Sequence, residues 1–310
     1  MSAIQPVELK QFVENNPKLV TRRESTRYPG LFTLKYTRAV FYDALWDTNP
    51  LLLECRGLVV DSDYNVVVKP FTKVFNYQEN GTTIDPEDVC CYVRKVNGFM
   101  ACVTRNSKYS NNLIISTTGS LDSEHVDLAK KHIPSSYWWH AIGEGETLIF
   151  EICDPSDPHI VAEDEGAWLI GGYGAMPWNN KFLRHSEDTL DFIADEIGMK
   201  RFKSKFLTFG EILDLSKTVT HEGFMVKSFK TGQELKIKSP HYLITKFLAR
   251  MKETRLRNII EKGNIREAMR NFDEEYYPLI TYLGENLDQF SSAEEQDRIK
   301  MIRDFLSRKE

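Results

Sequence analysis

The sequence predicts an α+β fold in which a mixed front part is followed by an all-helical C-terminal domain. Between residues 31 and 121, short β-type segments alternate with turn signals such as Glu79-Asn80-Gly81, a pattern typical of antiparallel hairpins. After Pro240, apolar residues recur at helical spacing. We therefore predict two domains, residues 1–239 and residues 240–310.

The front part contains most of the predicted elements. In chain order, the predicted strands are Leu31 to Tyr36, Gly57 to Val60, Val66 to Lys69, Val89 to Val93, Met100 to Thr104, Leu113 to Thr117, Thr147 to Ile152, Trp168 to Tyr173 and a pair within 222–238. The predicted helices are Ser123 to Lys131 with Ser123 as N-cap, Thr189 to Glu196, and Phe209 to Ser216.

The C-terminal part begins with an amphipathic basic helix. Its apolar face is formed by Leu243, Ile244, Phe247, Leu248, Met251, Ile259 and Ile260. Basic side chains are interspersed, namely Lys246, Arg250, Lys252, Arg255 and Arg257. Further helices are predicted over Ile265 to Phe272, Glu275 to Asn286 and Ala293 to Leu306.

Composition is that of an ordinary globular protein. Of 310 residues, 41% are hydrophobic, and the formal net charge of -5 gives no overall attraction to nucleic acid. Any phosphate-binding surface must therefore be local. The five cysteines show no C-x-x-C spacing, the N-terminus shows no secretory pattern, and no apolar stretch is long enough to cross a bilayer. We expect a cytoplasmic protein that is monomeric and makes no membrane contact.

The tetrapeptide Lys95-Val96-Asn97-Gly98 is the first of four segments that carry reactive side chains. It is followed by Leu148-Ile149-Phe150-Glu151, by Glu222-Gly223-Phe224-Met225-Val226-Lys227 and by Leu235-Lys236-Ile237-Lys238-Ser239. A lysine attacks phosphorus only as the neutral amine, although its reference pKa of about 10.4 keeps it protonated in water. Alone, Lys95 is better explained as a solvated strand end. With its three companion segments, a nucleophile is favoured.

The companion segments provide paired cations and two carboxylates. Lys236 and Lys238 are two positions apart on a predicted strand, so both project from one face while the intervening leucine and isoleucine face the core. Two neighbouring cations favour a bridging anion such as a triphosphate, although an exposed edge strand protected by charge is an alternative. The carboxylates of Glu151 and Glu222 could accept a ribose hydroxyl or hold metal-bound water.

In this order the four segments resemble motifs I, III, IV and V of the covalent nucleotidyltransferases, the superfamily of RNA ligases, DNA ligases and mRNA-capping guanylyltransferases. Two upstream segments resemble the RNA ligase 1 family of phage ATP-dependent RNA ligases. Leu53-Glu54-Cys55-Arg56-Gly57 is similar to its E-C-R-G segment, and Lys69-Pro70-Phe71-Thr72-Lys73-Val74-Phe75-Asn76 to its [KR]-P-x-x-K-F-F-N segment. The resemblance covers about residues 50 to 242. It implies an ATP-grasp-like ligase nucleotidyltransferase domain of antiparallel sheets flanked by helices.

The resemblance also implies a role for each matching residue. Lys95 would take the AMP as nucleophile, with Glu222, Lys236 and Lys238 as further catalytic residues. The residues that would bind ATP are Arg56, Lys73, Phe75, Lys95, Gly98, Glu151, Lys236, Lys238 and Tyr242. Magnesium or manganese would lie near Glu222, Glu151 and Asn97, with Asn97 acting through water.

Two positions depart from the family pattern. Asn97 stands where the family has an aspartate, which removes one negative charge from the implied metal neighbourhood. Thr118 stands where the family has a lysine before Gly-Ser, so one phosphate-binding cation is absent. Lys227 would compensate only if the alternation of its strand breaks, because parity puts it opposite Glu222.

The resemblance implies an ATP-dependent RNA ligase that joins a 5′-phosphate end of RNA to a 3′-hydroxyl end. ATP and a divalent metal would be its cofactors, and the helical C-terminal domain would select the RNA. A DNA ligase, a capping guanylyltransferase or a catalytically inactive ligase fold that binds RNA are the alternatives. The basic helix from residue 241 could contact RNA or could be a solvated face packed on the catalytic domain.

Overall fold

The computed structural model describes residues 4–133, 141–176, 181–250 and 277–307. The chain divides into two compact units, each built from two separate segments. Unit 1 consists of residues 1–74 and 96–203, and unit 2 consists of residues 75–95 and 204–310. The chain therefore leaves unit 2 directly after Lys95. The domain division near residue 239 stays a prediction.

Strands and helices alternate irregularly along the chain. The described strands are β1 (Val20–Glu24), β2 (Phe32–Tyr36), β3 (Arg56–Val60), β4 (Val66–Val68), β5 (Phe75–Asn76), β6 (Val89–Arg94), β7 (Phe99–Thr104), β8 (Ile114–Thr117), β9 (Thr147–Cys153), β10 (Gly166–Met176), β11 (Lys181–Arg184), β12 (Lys205–Thr208), β13 (Gly223–Ser228) and β14 (Glu234–Lys238). The described α-helices are α1 (Pro6–Asn15), α2 (Arg38–Tyr42), α3 (Leu51–Glu54), α4 (Glu124–His132), α5 (Glu187–Ile197), α6 (Phe209–Thr218), α7 (Pro240–Arg250), α8 (Tyr277–Glu285), α9 (Leu287–Ser292) and α10 (Glu295–Ser307).

Unit 1 contains two antiparallel sheets. One has the strand order β1-β2-β3-β4 and the other has the order β11-β10-β9-β7-β8. Helices α4 and α5 pack on the five-stranded sheet, where Val126 and Leu190 share a core with Phe150 and Leu169. As a result β9 is buried along its whole length, and this strand carries Glu151.

Unit 2 contains a five-stranded sheet of order β12-β6-β13-β14-β5, in which only β14 and β5 run parallel. Helix α6 covers one face, because Phe209 and Ile212 pack against Phe224, Leu235 and Ile237. Residues of the opposite parity lie on the other face. Lys236 and Lys238 belong to that second group.

The α+β architecture with antiparallel sheets is confirmed, and each predicted strand appears within a few residues of its expected bounds. Helix α5 begins two residues before the prediction because Ser186 caps it, accepting the amide of Thr189 at 3.1 Å. Ser123 does precede α4, although its side chain forms no capping bond. The sequence did not predict α1, α2, α3, α9, β1, β5, β11 and β12. Strand β1 buries only Val20, so it has no apolar alternation to detect.

Four described helices follow β14. Leu279, Ile280, Leu283, Phe290 and Ile302 form a core, against which Leu243 and Ile244 of α7 pack. The helices predicted over 275–286 and 293–306 correspond to α8 and α10. Within the described ranges, no helix is both long and apolar enough to cross a membrane. Outside the described residues lie the predicted helix Ile265 to Phe272 and the residues Met251, Lys252, Arg255, Arg257, Ile259 and Ile260.

Candidate active site

Lys95 follows β6 and is held beside the first residue of β13. Its backbone amide donates to the carbonyl of Gly223 at 2.9 Å, which extends the β6–β13 ladder by one residue. On the other side of β13, Gly223 pairs with Lys238 of β14. Lys95, Gly223 and Lys238 therefore occupy one row across three neighbouring strands of unit 2.

One buried carboxylate lies between the two lysines of this row. The Nζ of Lys95 is 2.8 Å from Oε2 of Glu222, and the Nζ of Lys238 is 3.9 Å from Oε1. The side chain of Glu222 is 3% exposed, whereas Lys95 is 19% exposed. The cluster thus brings two ammonium groups to one buried carboxylate, an arrangement suited to binding an anion.

Gly223 explains why Glu222 reaches Lys95. Its φ is 132°, a conformation that side chains disfavour, and a Cβ at this position would lie 2.0 Å from the carbonyl oxygen of Ile237. Strict alternation along β13 therefore does not extend back to Glu222. A glycine is required here for the close packing of β13 on β14.

Two polar residues that the sequence did not single out fix this turn. The amide of Gly223 donates to Nδ1 of His221 at 3.1 Å, and the hydroxyl of Ser239 donates to the carbonyl of His221 at 2.6 Å. Burial, and then the nearby Arg94, lower the pKa of His221 below its ordinary value. The imidazole is therefore neutral at pH 7, so its Nδ1 can accept the bond. No local motif signals this role.

Strand β14 presents its lysines as the sequence predicted. Leu235 and Ile237 are buried in the core of unit 2, and Lys236 and Lys238 project from the other face. The Nζ of Lys238 lies 5.4 Å from the ring centroid of the buried Tyr242, within the range of a cation–π interaction. Phe75 of β5 pairs in parallel with Leu235, so it lies at the edge of the same sheet.

In unit 1, the segment after Lys95 is bonded to β9 and to the loop that follows it. The amide of Gly98 donates to Oε1 of the buried Glu151 at 3.1 Å, and Oδ1 of Asn97 accepts the amide of Val161 at 2.8 Å. A Cβ on Gly98 would lie 2.2 Å from the carbonyl oxygen of Ile152. Position 98 therefore requires a glycine because its backbone packs directly on the backbone of β9.

The two upstream cations of the resemblance also lie in unit 1. Arg56 begins β3, and Lys73 is buried with its Nζ 4.9 Å from the ring centroid of Trp46 and 5.3 Å from that of Phe41. The backbone amide of Lys73 donates to the carbonyl of Leu53 at 2.8 Å. This bond joins the two sequence segments that resemble the phage family.

The segment that carries these residues matches the RNA ligase family over residues 54–247, which is more than half of the chain. The chain belongs to the RNA ligase family. The resemblance read from the motifs is thereby confirmed, and the family favours RNA ligation over DNA ligation or mRNA capping. No curated protein is significantly similar to this RNA ligase in sequence.

Solved structures share the fold of this RNA ligase at low sequence identity. An archaeal structure described as an ATP-dependent RNA ligase, form 2, has a TM-score of 0.58 at 12% identity, covering 94% of this chain and 73% of that one. Form 1 of the archaeal ATP-dependent RNA ligase has a TM-score of 0.57 at 14% identity, covering 94% of this chain and 73% of that one. A putative ATP-dependent DNA ligase from Aquifex aeolicus gives 0.56 at 16% identity, covering 96% and 76%. At these identities the likeness concerns the fold, which is a mixed α+β ligase fold with antiparallel sheets.

The oxygen donors of this RNA ligase fit a magnesium or manganese ion, since both ions prefer carboxylate and carbonyl oxygens. Glu222 meets ammonium groups at both oxygens, so a metal would reach it most readily through water. Glu151 uses Oε1 for the amide of Gly98, and Asn97 uses Oδ1 for the amide of Val161.

Proposed function

We propose that this RNA ligase uses ATP to join a 5′-phosphate end of RNA to a 3′-hydroxyl end through a covalent Lys95–AMP intermediate. The observation that carries the proposal is the Lys95–Glu222–Lys238 cluster, in which a partly exposed amine lies among a buried carboxylate and a second cation. The two archaeal neighbours described as ATP-dependent RNA ligases support the choice of nucleotide.

In the first step the Nζ of Lys95 attacks the α-phosphorus of ATP. A nitrogen–phosphorus bond forms, the bond to the bridging oxygen breaks, and pyrophosphate leaves with its electron pair. Nζ loses its proton, for which Oε2 of Glu222 at 2.8 Å is a suitably placed acceptor. Lys236 and Lys238 stabilise the negative charge that develops on the departing pyrophosphate.

In the second step an oxygen of the RNA 5′-phosphate attacks the adenylate, which restores the amine of Lys95. In the third step the RNA 3′-hydroxyl loses its proton and attacks the 5′-phosphorus, and AMP leaves. The remaining roles are those that the resemblance implies. In unit 1, Glu151 holds the ribose, Arg56 and Lys73 contact phosphates, and Gly98 contributes to nucleotide binding. In unit 2, Phe75 and Tyr242 contribute to nucleotide binding. Glu222, Glu151 and Asn97 are the residues that would hold magnesium or manganese, which would neutralise charge on the phosphates.

The direct test is an adduct measurement. Protein incubated with ATP and magnesium should gain the mass of one AMP, and the adduct should then seal RNA with 5′-phosphate and 3′-hydroxyl ends. Binding of RNA without any adduct, across metals and pH values, would support the inactive ligase fold instead.

Replacing Lys236 by alanine should slow adduct formation by about 100-fold, the typical effect of losing one positioned cation or donor. Lys236 lies on the same face of β14 as Lys238, and its loss should remove charge stabilisation of the departing pyrophosphate. The matched control is Lys205→Ala on the edge strand β12 of the same sheet, because Lys205 is exposed. Equal effects of the two substitutions on the labelling rate would contradict the proposed role.

Asn97→Asp should lower the metal concentration needed for half-maximal adduct formation by several-fold, because a carboxylate attracts a cation more strongly than an amide does. The carboxylate can still accept the amide of Val161, but position 97 is buried, so the new charge should lower stability without metal and metal should restore it. Asn97→Ala removes that acceptor and should destabilise by about 1–3 kcal/mol. Metal titrations and chemical unfolding of both variants separate the two effects, and an unchanged metal requirement in Asn97→Asp would refute the metal role.

We also propose that residues 240–310 form an all-helical domain that selects the RNA. The basic residues that the sequence places between 246 and 257 motivate this proposal, although Lys246 is buried beside Tyr242. Reversing Arg250 and Arg255 to glutamate should weaken RNA binding and flatten its salt dependence. Unchanged affinity would refute the binding surface. A monomeric state and a cytoplasmic location stay predictions.

A further inference from the structure

In unit 1, Lys35 and Arg56 lie directly opposite each other because β3 bulges at Gly57. Leu34 of β2 pairs with Leu58 of β3, and Lys35 pairs with Arg56, so Gly57 has no partner on β2. Gly57 has a φ of 89°, which accommodates the extra residue. Residues directly opposite on antiparallel strands share a face, with Cβ atoms about 5 Å apart.

Two like charges at this spacing destabilise a sheet unless something compensates them. Lys35 is exposed and Arg56 is partly buried. Within the described ranges of the chain, neither forms an ion pair with a carboxylate. A bound anion would remove the repulsion, and a phosphate is the anion that an RNA ligase handles.

The turn that contains Thr118 lies beside this pair. A Cβ on Gly57 would lie 2.7 Å from the Cα of Thr118, and a Cβ on Gly119 would lie 3.4 Å from the Nζ of Lys35. The ammonium of Lys35 therefore lies over the turn at which the phage family carries a lysine. Here the cation comes from β2 rather than from the turn.

We propose that Lys35 is a phosphate-binding residue that supplies the positive charge missing at Thr118, and that it acts together with Arg56. The identity of the phosphate rests on the proposed function: it is either a phosphate of ATP or the 5′-phosphate of RNA. Because two opposed cations do not stabilise the sheet, we expect Lys35 to contribute to phosphate binding and not to the free energy of folding.

The first test measures phosphate binding without catalysis. Calorimetry with inorganic tripolyphosphate should show roughly tenfold or greater weakening in Lys35→Ala and near-normal binding in Lys35→Arg. Without ligand, the thermal midpoint of Lys35→Ala should equal or exceed that of the wild type, because repulsion is removed. Tripolyphosphate should then raise the wild-type midpoint more than the variant midpoint. Lys10→Ala, which removes an exposed lysine of α1, is the control for lost charge.

The second test locates the phosphate. If Lys35→Ala slows adduct formation from ATP, the site binds the nucleotide. If it slows only transfer from preformed adduct to 5′-phosphorylated RNA, the site binds the RNA end. In either case, adding Thr118→Lys to Lys35→Ala should restore much of the lost rate, because it returns a cation to the same turn.

The proposal is overturned if Lys35→Ala matches Lys10→Ala in tripolyphosphate binding and in both rates, or if its loss of function follows a lowered thermal midpoint. Failure of the proposed function would look different. In that case the wild type would form no adduct, while the tripolyphosphate measurement would still decide the role of Lys35.

Discussion

Lys95→Ala should eliminate the AMP adduct and, with it, ligation of RNA that starts from ATP. In unit 2, the ammonium of Lys238 also contacts Glu222, but Lys238 lies on a different strand and is nearest to the opposite carboxylate oxygen. It is therefore not expected to replace the nucleophile. Intact-mass spectrometry after incubation with ATP and magnesium measures the adduct. Lys95→Arg should fail as well, because a guanidinium stays protonated and cannot attack phosphorus.

The same variant should keep one partial activity. RNA that already carries AMP at its 5′ end needs only the third step, in which the 3′-hydroxyl and not Lys95 is the nucleophile. Lys95→Ala should therefore still seal adenylated RNA, and this result separates a lost nucleophile from a lost fold. Lys205→Ala, which removes an exposed lysine from the edge strand of the same sheet, is the control for the charge change. An adduct of normal yield on Lys95→Ala would discard the assignment.

The parts of the site that follow strand alternation could be predicted from the sequence. Leu235 and Ile237 alternate with Lys236 and Lys238, and the structure buries the first pair and leaves the second on the other face. The order of the reactive segments is equally informative, because it is the order typical of the RNA ligase family that residues 54–247 match. Local periodicity and segment order are both properties of the one-dimensional chain.

Breaks in that alternation could not be predicted. Strand alternation along β13 does not predict the contact between Glu222 and Lys95. The φ of 132° at Gly223 ends the regular alternation before Glu222, so the side chain of Glu222 can reach Lys95. The bulge at Gly57 likewise sets Arg56 opposite Lys35, a lysine that belongs to no recognised segment. A glycine in a sequence permits such a conformation but does not specify it, because the choice depends on the neighbouring strand.

Hydrogen bonds between residues distant in sequence could not be predicted either. Asn97 was expected beside a metal, and the structure adds a bond from its Oδ1 to the amide of Val161, which is 64 residues away. Asn97, which stands where the family has an aspartate, therefore also forms a tertiary hydrogen bond, and no local sequence pattern predicts that bond. An amide and a carboxylate can both accept this bond, which is why Asn97→Asp tests the charge alone.

Gly223→Ala should be the most damaging single-methyl change in unit 2. A Cβ there would lie 2.0 Å from the carbonyl oxygen of Ile237, within the backbone of β14, and the φ of 132° is unfavourable for any side chain. Backbone cannot yield as a flexible side chain does, so we expect a loss of about 3 kcal/mol or more in unfolding free energy. Adduct formation should fall with it, because Gly223 holds the amide of Lys95 and the turn to Glu222.

The control for Gly223→Ala is Gly232→Ala. Gly232 also has a positive φ, 70°, but a Cβ there would meet nothing within 4 Å. Its cost should therefore be limited to backbone strain of about 1–2 kcal/mol, and its adduct rate should match the wild type. Chemical denaturation measures the unfolding free energy of both variants. The difference between them separates the cost of the steric clash at position 223 from the cost of a side chain at positive φ. Equal destabilisation of the two, or a normal adduct rate in Gly223→Ala, would show that the close packing of β13 on β14 does not position Glu222 and Lys95.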